Sequence, residues 1–152
     1  MRRGSSKFSQ GVYHPRNPNK YIGTGQIIYR SSWENHFCQF CDVNEHVIEW
    51  ASEPMRIPYR HPITGKQTTY VPDFLIRYRN ADNQVITELI EIKPAGQAAL
   101  REGMNQNQRA TVAVNEAKWQ MARAWCNKQG IKFRVITEHD IFKNSKPSRR
   151  KK

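Results

Sequence analysis

Asp73, Glu91 and Lys93 are spaced along this chain as a hydrolytic centre would need them. Val71-Pro72-Asp73-Phe74 and Leu89-Ile90-Glu91-Ile92-Lys93 belong to two β-rich runs on either side of a polar reversal, Asn80-Ala81-Asp82-Asn83. That pattern predicts an antiparallel hairpin, in which residues equidistant from the turn face each other. The midpoint of Asp73 and Glu91, (73 + 91)/2 = 82, falls in the reversal, so the two carboxylates should stand side by side on neighbouring strands. Period-2 geometry puts Lys93 on the same face as Glu91.

Two carboxylates and a lysine at one end of a sheet can hold a divalent ion and a water. Phosphodiester hydrolysis needs an activated water and neutralisation of charge on the phosphate and leaving oxygen, which one or two Mg²⁺ ions supply, with Mn²⁺ as a substitute. A lysine beside the metal orients the water or stabilises developing negative charge. The plain alternative is a solvated Asp with a Glu and a Lys on an exposed edge. Against it, Val71, Leu75 and Leu89 place the carboxylates near a buried face, where they are costly without a cation. Glu34 is the candidate third metal ligand, although Ser31-x-x-Glu34 is equally a helix capping box.

Candidate phosphate contacts lie around these residues. His61 and Lys66 are on the loop leading to Asp73, with an ordinary solvated turn as the alternative, and Lys118 precedes Met121 by about one helical turn. Arg149 and Arg150, with Arg2, Arg3, Lys7, Lys151 and Lys152, should add unspecific, salt-dependent attraction.

The elements that must carry this constellation follow from periodicity. Residues 1–30 are polar and basic and read as an extended arm. Residues 31–143 read as the domain proper, and 144–152 as a basic disordered tail. The first helix should begin at Ser31-Ser32-Trp33-Glu34, with Trp33, Phe37 and Cys41 as its apolar stripe. One or two short strands are expected over 47–58, a polar turn over 59–68, and the hairpin strands over about 69–79 and 85–93. Phe74, Ile76, Ile90 and Ile92 lie on one face of that hairpin and Val71, Leu75 and Leu89 on the other, so helices should cover both. A loop over 95–109 precedes a helix from about Thr111 to Lys128. Its buried face is expected at Val114, Ala117, Met121 and Trp125, with Gly130 as its stop and a last strand over 131–137.

Composition narrows the partner. The 152 residues carry 25 Lys plus Arg against 13 Asp plus Glu, a formal charge of +12. That surplus points to nucleic acid ahead of an acidic protein or a membrane, since no basic amphipathic helix is evident. No apolar run reaches membrane-spanning length, and no apolar segment follows the N-terminal basic residues, so a cytoplasmic protein is expected. Cys38 and Cys41 form a C-x-x-C, but no second pair completes four zinc ligands. Two buried thiols in a reducing compartment is the favoured reading.

With these residues in place, the chain resembles the PD-(D/E)xK nucleases. It is similar within them to the N-terminal catalytic domain of TnsA-type transposon endonucleases and, more closely, to the head completion nucleases of T-even-like tailed phages. Glu34, Val71-Pro72-Asp73-Phe74, Glu91-Ile92-Lys93-Pro94, Asn115-Glu116-Ala117-Lys118-Trp119 and the run from Gly130 to Glu138 carry the first likeness. Ser9-Gln10-Gly11-Val12-Tyr13, Tyr29-Arg30-Ser31-Ser32-Trp33-Glu34 and Ile57-Pro58-Tyr59-Arg60-His61-Pro62 carry the second. The resemblance implies a restriction-endonuclease-like α/β core of order αβββαβ, with a mixed sheet of about four strands flanked by helices. It further implies Glu34, Asp73 and Glu91 as metal ligands and Lys93 as catalytic lysine. The function implied is a Mg²⁺-dependent DNA endonuclease of low sequence specificity in phage head completion after packaging. Its partners would be DNA, portal or neck proteins and other head-completion proteins, in the host cytoplasm during assembly and then in the virion. The alternative of another class is a non-catalytic DNA-binding neck protein.

Overall fold

The computed structural model describes residues 10–140. Its centre is a four-stranded sheet ordered β3-β6-β7-β8, made of β3 (Val47–Ser52), β6 (Phe74–Arg79), β7 (Val85–Ile92) and β8 (Lys132–Ile136). The first three strands are antiparallel neighbours and β8 runs parallel to β7. A parallel return needs a crossover, and α2 (Gln106–Gln129) provides it. The helix α1 (Ser32–Val43) covers the other face.

The alternation along β6 and β7 dictates this layering. Phe74, Ile76, Ile90 and Ile92 pack with Phe37, Cys38 and Cys41 of α1 and with Trp50. Leu75 and Leu89 point the opposite way, against Trp119, Ala122 and Cys126 of α2. The expected αβββαβ order therefore holds for the core. Two ribbons add to it: β1 (Gly11–Tyr13) with β2 (Ile27–Tyr29), and β4 (Ile57–Arg60) with β5 (Gln67–Tyr70).

Three readings of the elements need correction. The run 69–79 is not one strand but two, because Val71-Pro72-Asp73 breaks it. Pro72 has no N–H for a ladder and is itself buried. Residues 59–68 are not merely a turn, since Tyr59 and Arg60 pair with Thr68 and Gln67 in the β4–β5 ribbon.

The third correction concerns α2, which starts at Gln106 rather than Thr111. Asn105 and Gln108 form a reciprocal capping box, each side chain accepting the other's backbone N–H. Its buried stripe is Val112, Asn115, Trp119, Ala122 and Cys126, while Met121 is 43% exposed. The expected Val114, Ala117 and Trp125 are half-buried beside this stripe, whereas hydropathy overlooks Asn115, whose amide donates to the Gln97 carbonyl at 3.0 Å.

Residues 13–17 are tied to α1 by one carboxylate. Asp42, fully buried near the end of α1, accepts hydrogen bonds from the Tyr13 hydroxyl and from the N–H groups of Arg16 and Asn17. Cys38, Cys41 and Cys126 are buried and free, and burial pushes the Cys38 thiol up to about 12. No helix among the described residues is long and apolar enough to cross a membrane.

Candidate active site

The register of the central hairpin decides where the carboxylates meet. Phe74 pairs with Ile90, so the residue before Phe74 stands opposite the residue after Ile90: Asp73 against Glu91. The Ile92 N–H donates to Asp73 Oδ2 at 2.7 Å, fixing the Asp73 side chain across the pair. Glu91 is 3% exposed, with its two oxygens differently engaged. Oε1 accepts the Tyr70 hydroxyl at 2.8 Å and Oε2 faces Lys93 Nζ at 3.3 Å. Lys93 is anchored in turn by its N–H to the Ile136 carbonyl, where β8 meets the end of β7.

Electrostatics at this point are unbalanced toward negative charge. Burial raises the Asp73 carboxyl well above the usual range, and repulsion from Glu91 and then Glu34 adds to it. Burial also raises Glu34, against the pull of the Arg30 N–H and guanidinium, with Glu53 and Glu91 pushing the same way as burial. The opposite sign lies across the site on α2. Burial lowers the Lys118 ammonium, as does neighbouring Lys93, while Glu91 and Asp73 stabilise its charge. Lys118 Nζ stands 6.0 Å from the Tyr59 ring centre and 5.7 Å from that of Tyr70, within cation–π range.

Glu34 is held at the start of α1 by half of the expected capping box. Ser31 Oγ accepts the Glu34 N–H at 3.2 Å, capping α1. The return arm of the box lands one residue early, because Glu34 Oε1 accepts the Arg30 N–H at 2.8 Å. That leaves Glu34 near enough to Asp73 to repel it. Arg30 also pairs with Glu53 at 3.0 Å, where Glu53 ends β3 in a left-handed turn of φ 47° and donates its N–H to the Asp73 carbonyl.

This set suits a divalent cation in charge and donor type: buried, mutually repelling carboxylate oxygens with few cations to offset them. Among the described residues, no three His, Cys, Asp or Glu side chains are already closed around one point.

The structure thus gathers Asp73, Glu91 and Lys93, with Glu34 and Lys118 at the margin. Lys118 arrives for a reason other than the one read from the sequence, since Met121 is exposed and Lys118 instead lies between buried Asn115 and Ala122. His61 and Lys66 are not brought to the carboxylates. They sit in the turn of the β4–β5 ribbon, at the end opposite Tyr70. His61 Nδ1 is occupied there, accepting the N–H groups of Ile63 and Thr64. Arg149 and Arg150 lie outside the described residues, as does the expected disordered tail.

Tyr70, Tyr59 and Arg30 were not legible as site residues. Tyr70 is three positions before Asp73 but belongs to a different ribbon, and only the chain's turn at Pro72 swings its hydroxyl onto Glu91.

Two comparisons with known proteins place the chain in a family. A family described as "TnsA-like endonuclease N terminal" matches residues 44–138, a span that includes Asp73, Glu91, Lys93 and Lys118 and begins after Glu34. A relative named "Head completion nuclease", from Enterobacteria phage T4, is 36% identical over 144 residues, covering 86% of this chain and 92% of that protein. The matched span runs from just before β3 through β8, the strands that set Asp73 against Glu91, and it makes this chain a member of the TnsA-like endonuclease N-terminal family, with a restriction-endonuclease-like fold.

Proposed function

We propose that this protein is a Mg²⁺-dependent DNA endonuclease of low sequence specificity that acts in head completion of a tailed phage, after DNA packaging. The observation that carries this reading is Asp73 opposite Glu91 with Lys93 held against Glu91 at 3.3 Å, in a cluster short of positive charge. Membership of an endonuclease family and a relative named for head completion support the class of reaction and the setting.

Asp73 and Glu91, with Glu34, would hold the ion. When bound, Mg²⁺ supplies charge neutralisation at the phosphate and an acidified water. The chain's own residues do the rest. Tyr70 keeps one Glu91 oxygen from rotating away, and the Lys93 ammonium orients the attacking water and offsets charge building on the phosphate. Lys118, half-buried against two aromatic rings, would meet a nonbridging phosphate oxygen. In the virion, the portal and neck proteins would be its neighbours.

One observation favours a second reading. The three carboxylates are not closed around a common point, which suits a neck protein that grips DNA through its +12 charge without cutting. Incubating supercoiled plasmid and linear duplex with Mg²⁺, Mn²⁺ or EDTA separates the two. The enzyme reading expects metal-dependent cutting that Asp73→Ala abolishes and Lys93→Ala slows by about 10²–10³-fold, while fold and DNA binding persist. A folded wild type that binds DNA and leaves it intact with either ion overturns it.

A further inference from the structure

Between Pro54 and Pro72 the chain has no acidic residue, but it has Arg56, Arg60, His61 and Lys66. In a protein with 13 carboxylates, a basic stretch free of them and folded as one ribbon is suited to an anionic partner. The ribbon is two-faced. Ile57, Tyr59 and Tyr70 are buried against Leu89 and Trp119, which fixes it to the body, whereas Pro58, Arg60, Gln67 and Thr69 face outward.

Its turn is stiff. The His61 N–H donates to the Lys66 carbonyl at 2.9 Å and the Gly65 N–H to the His61 carbonyl at 2.8 Å. Arg60 Nη1 donates to the Gly65 carbonyl at 2.6 Å, and His61 Nδ1 accepts two further N–H groups. Gly65, at φ +74° with open space around it, makes this tight turn possible. At the crest stands Ile63, 61% exposed. A lone exposed apolar residue is ordinary. Ile63 differs in being held out by a pre-formed turn, between Arg60 and Lys66, on an element whose root touches Glu91.

We infer that the β4–β5 ribbon is a DNA-gripping wedge: Lys66 and Arg60 track a phosphate strand, and Ile63 is pressed into the minor groove against a base step. The ligand class is duplex DNA with steps that open easily, as apolar wedges require. Four residue pairs separate the turn from Tyr70's end of the ribbon. At about 3.3 Å per residue the paired strands alone span roughly 10 Å before the turn that carries Ile63 begins, so the wedge meets the duplex at least about three base pairs from a phosphate at Glu91. The inference rests on the nuclease reading for the position of that phosphate, and on the ribbon alone for DNA contact.

The test is fluorescence anisotropy of the full chain with a labelled 30-base-pair duplex over a range of NaCl concentrations, in EDTA so that cutting plays no part. Lys66→Ala should lower the slope of log affinity against log salt by about 0.9, as loss of one phosphate contact does. Ile63→Ala should leave that slope unchanged and weaken binding by roughly 10- to 60-fold, the effect of losing up to three apolar carbons from a buried contact. It should also abolish the rise in 2-aminopurine fluorescence that wild type causes by unstacking a TA step. Both side chains are exposed, so melting curves should match wild type. Wild-type affinity, slope and fluorescence in both variants would overturn the wedge, as would absence of duplex binding by wild type. Failure of wild type to cut with Mg²⁺, alongside these binding losses, would instead sink the nuclease reading and leave the wedge standing.

Discussion

Asp73 carries a charge that its surroundings resist. Burial, Glu91 and Glu34 all raise its carboxyl, and the Ile92 N–H and Lys93 do not outweigh them. Under the proposed function, such a group trades stability for activity. Asp73→Asn keeps an oxygen for the Ile92 N–H and removes the charge. In EDTA it should melt higher than wild type, by about 0.5–2 kcal/mol of added stability. Wild type, but not the variant, should gain melting temperature when Mg²⁺ is added. Scanning calorimetry of both proteins in both buffers checks this, and equal melting temperatures throughout would contradict it. Lys93 makes a different contribution, since its ammonium faces Glu91 and is itself only partly exposed. Lys93→Ala should cut the cleavage rate by about 10²–10³-fold with little change in DNA affinity, measured by single-turnover kinetics beside anisotropy. Tyr70→Phe removes one hydrogen bond to a buried carboxylate, a loss of about 1–3 kcal/mol. Its expected signature is slower cleavage with an unchanged fold by circular dichroism.

Each element depends on a small number of polar contacts at its ends. The fold of residues 13–17 onto α1 runs through Asp42, where burial alone would raise the carboxyl. Hydrogen bonds from Tyr13, Arg16 and Asn17 outweigh it and hold the group below its ordinary value. A depressed folded-state value means stability present above the unfolded carboxylate range of about 4 and lost as pH falls through the folded value. Asp42→Asn should therefore melt lower than wild type at pH 7 and show a flatter loss of stability on acidification below about pH 4. Thermal melts from neutral to acid pH read this directly. At the start of α2, Asn105→Ala should cost about 1 kcal/mol by opening the capping box, seen as a shift of the denaturation midpoint without a change of slope.

For the whole molecule, the +12 charge sets a long-range attraction that adds to the local site, and DNA affinity should fall steeply with salt. Legibility also divides along local and global lines. The central hairpin could be read from residue order, because antiparallel pairing with a known reversal leaves one register, and that register placed Asp73 opposite Glu91. The two-sided burial of β6 and β7 followed from apolar residues at both parities, which no single covering layer can satisfy. The side of α2 that faces the sheet followed only in part: Val114, Ala117 and Trp125 pack against the core, but the fully buried stripe is shifted toward Asn115 and away from Met121. A satisfied Asn115 looks polar in the sequence and Met121 looks apolar, and burial is decided by what stands opposite. The β4–β5 ribbon was hidden for a related reason, since the turn at Pro72 sends β5 away from the sheet that β6 joins. Contacts between residues of one hairpin are written in their spacing. Contacts between separate elements, such as Tyr70 on Glu91 or Lys118 over two tyrosine rings, depend on packing angles that no local spacing encodes, and those had to come from the folded chain.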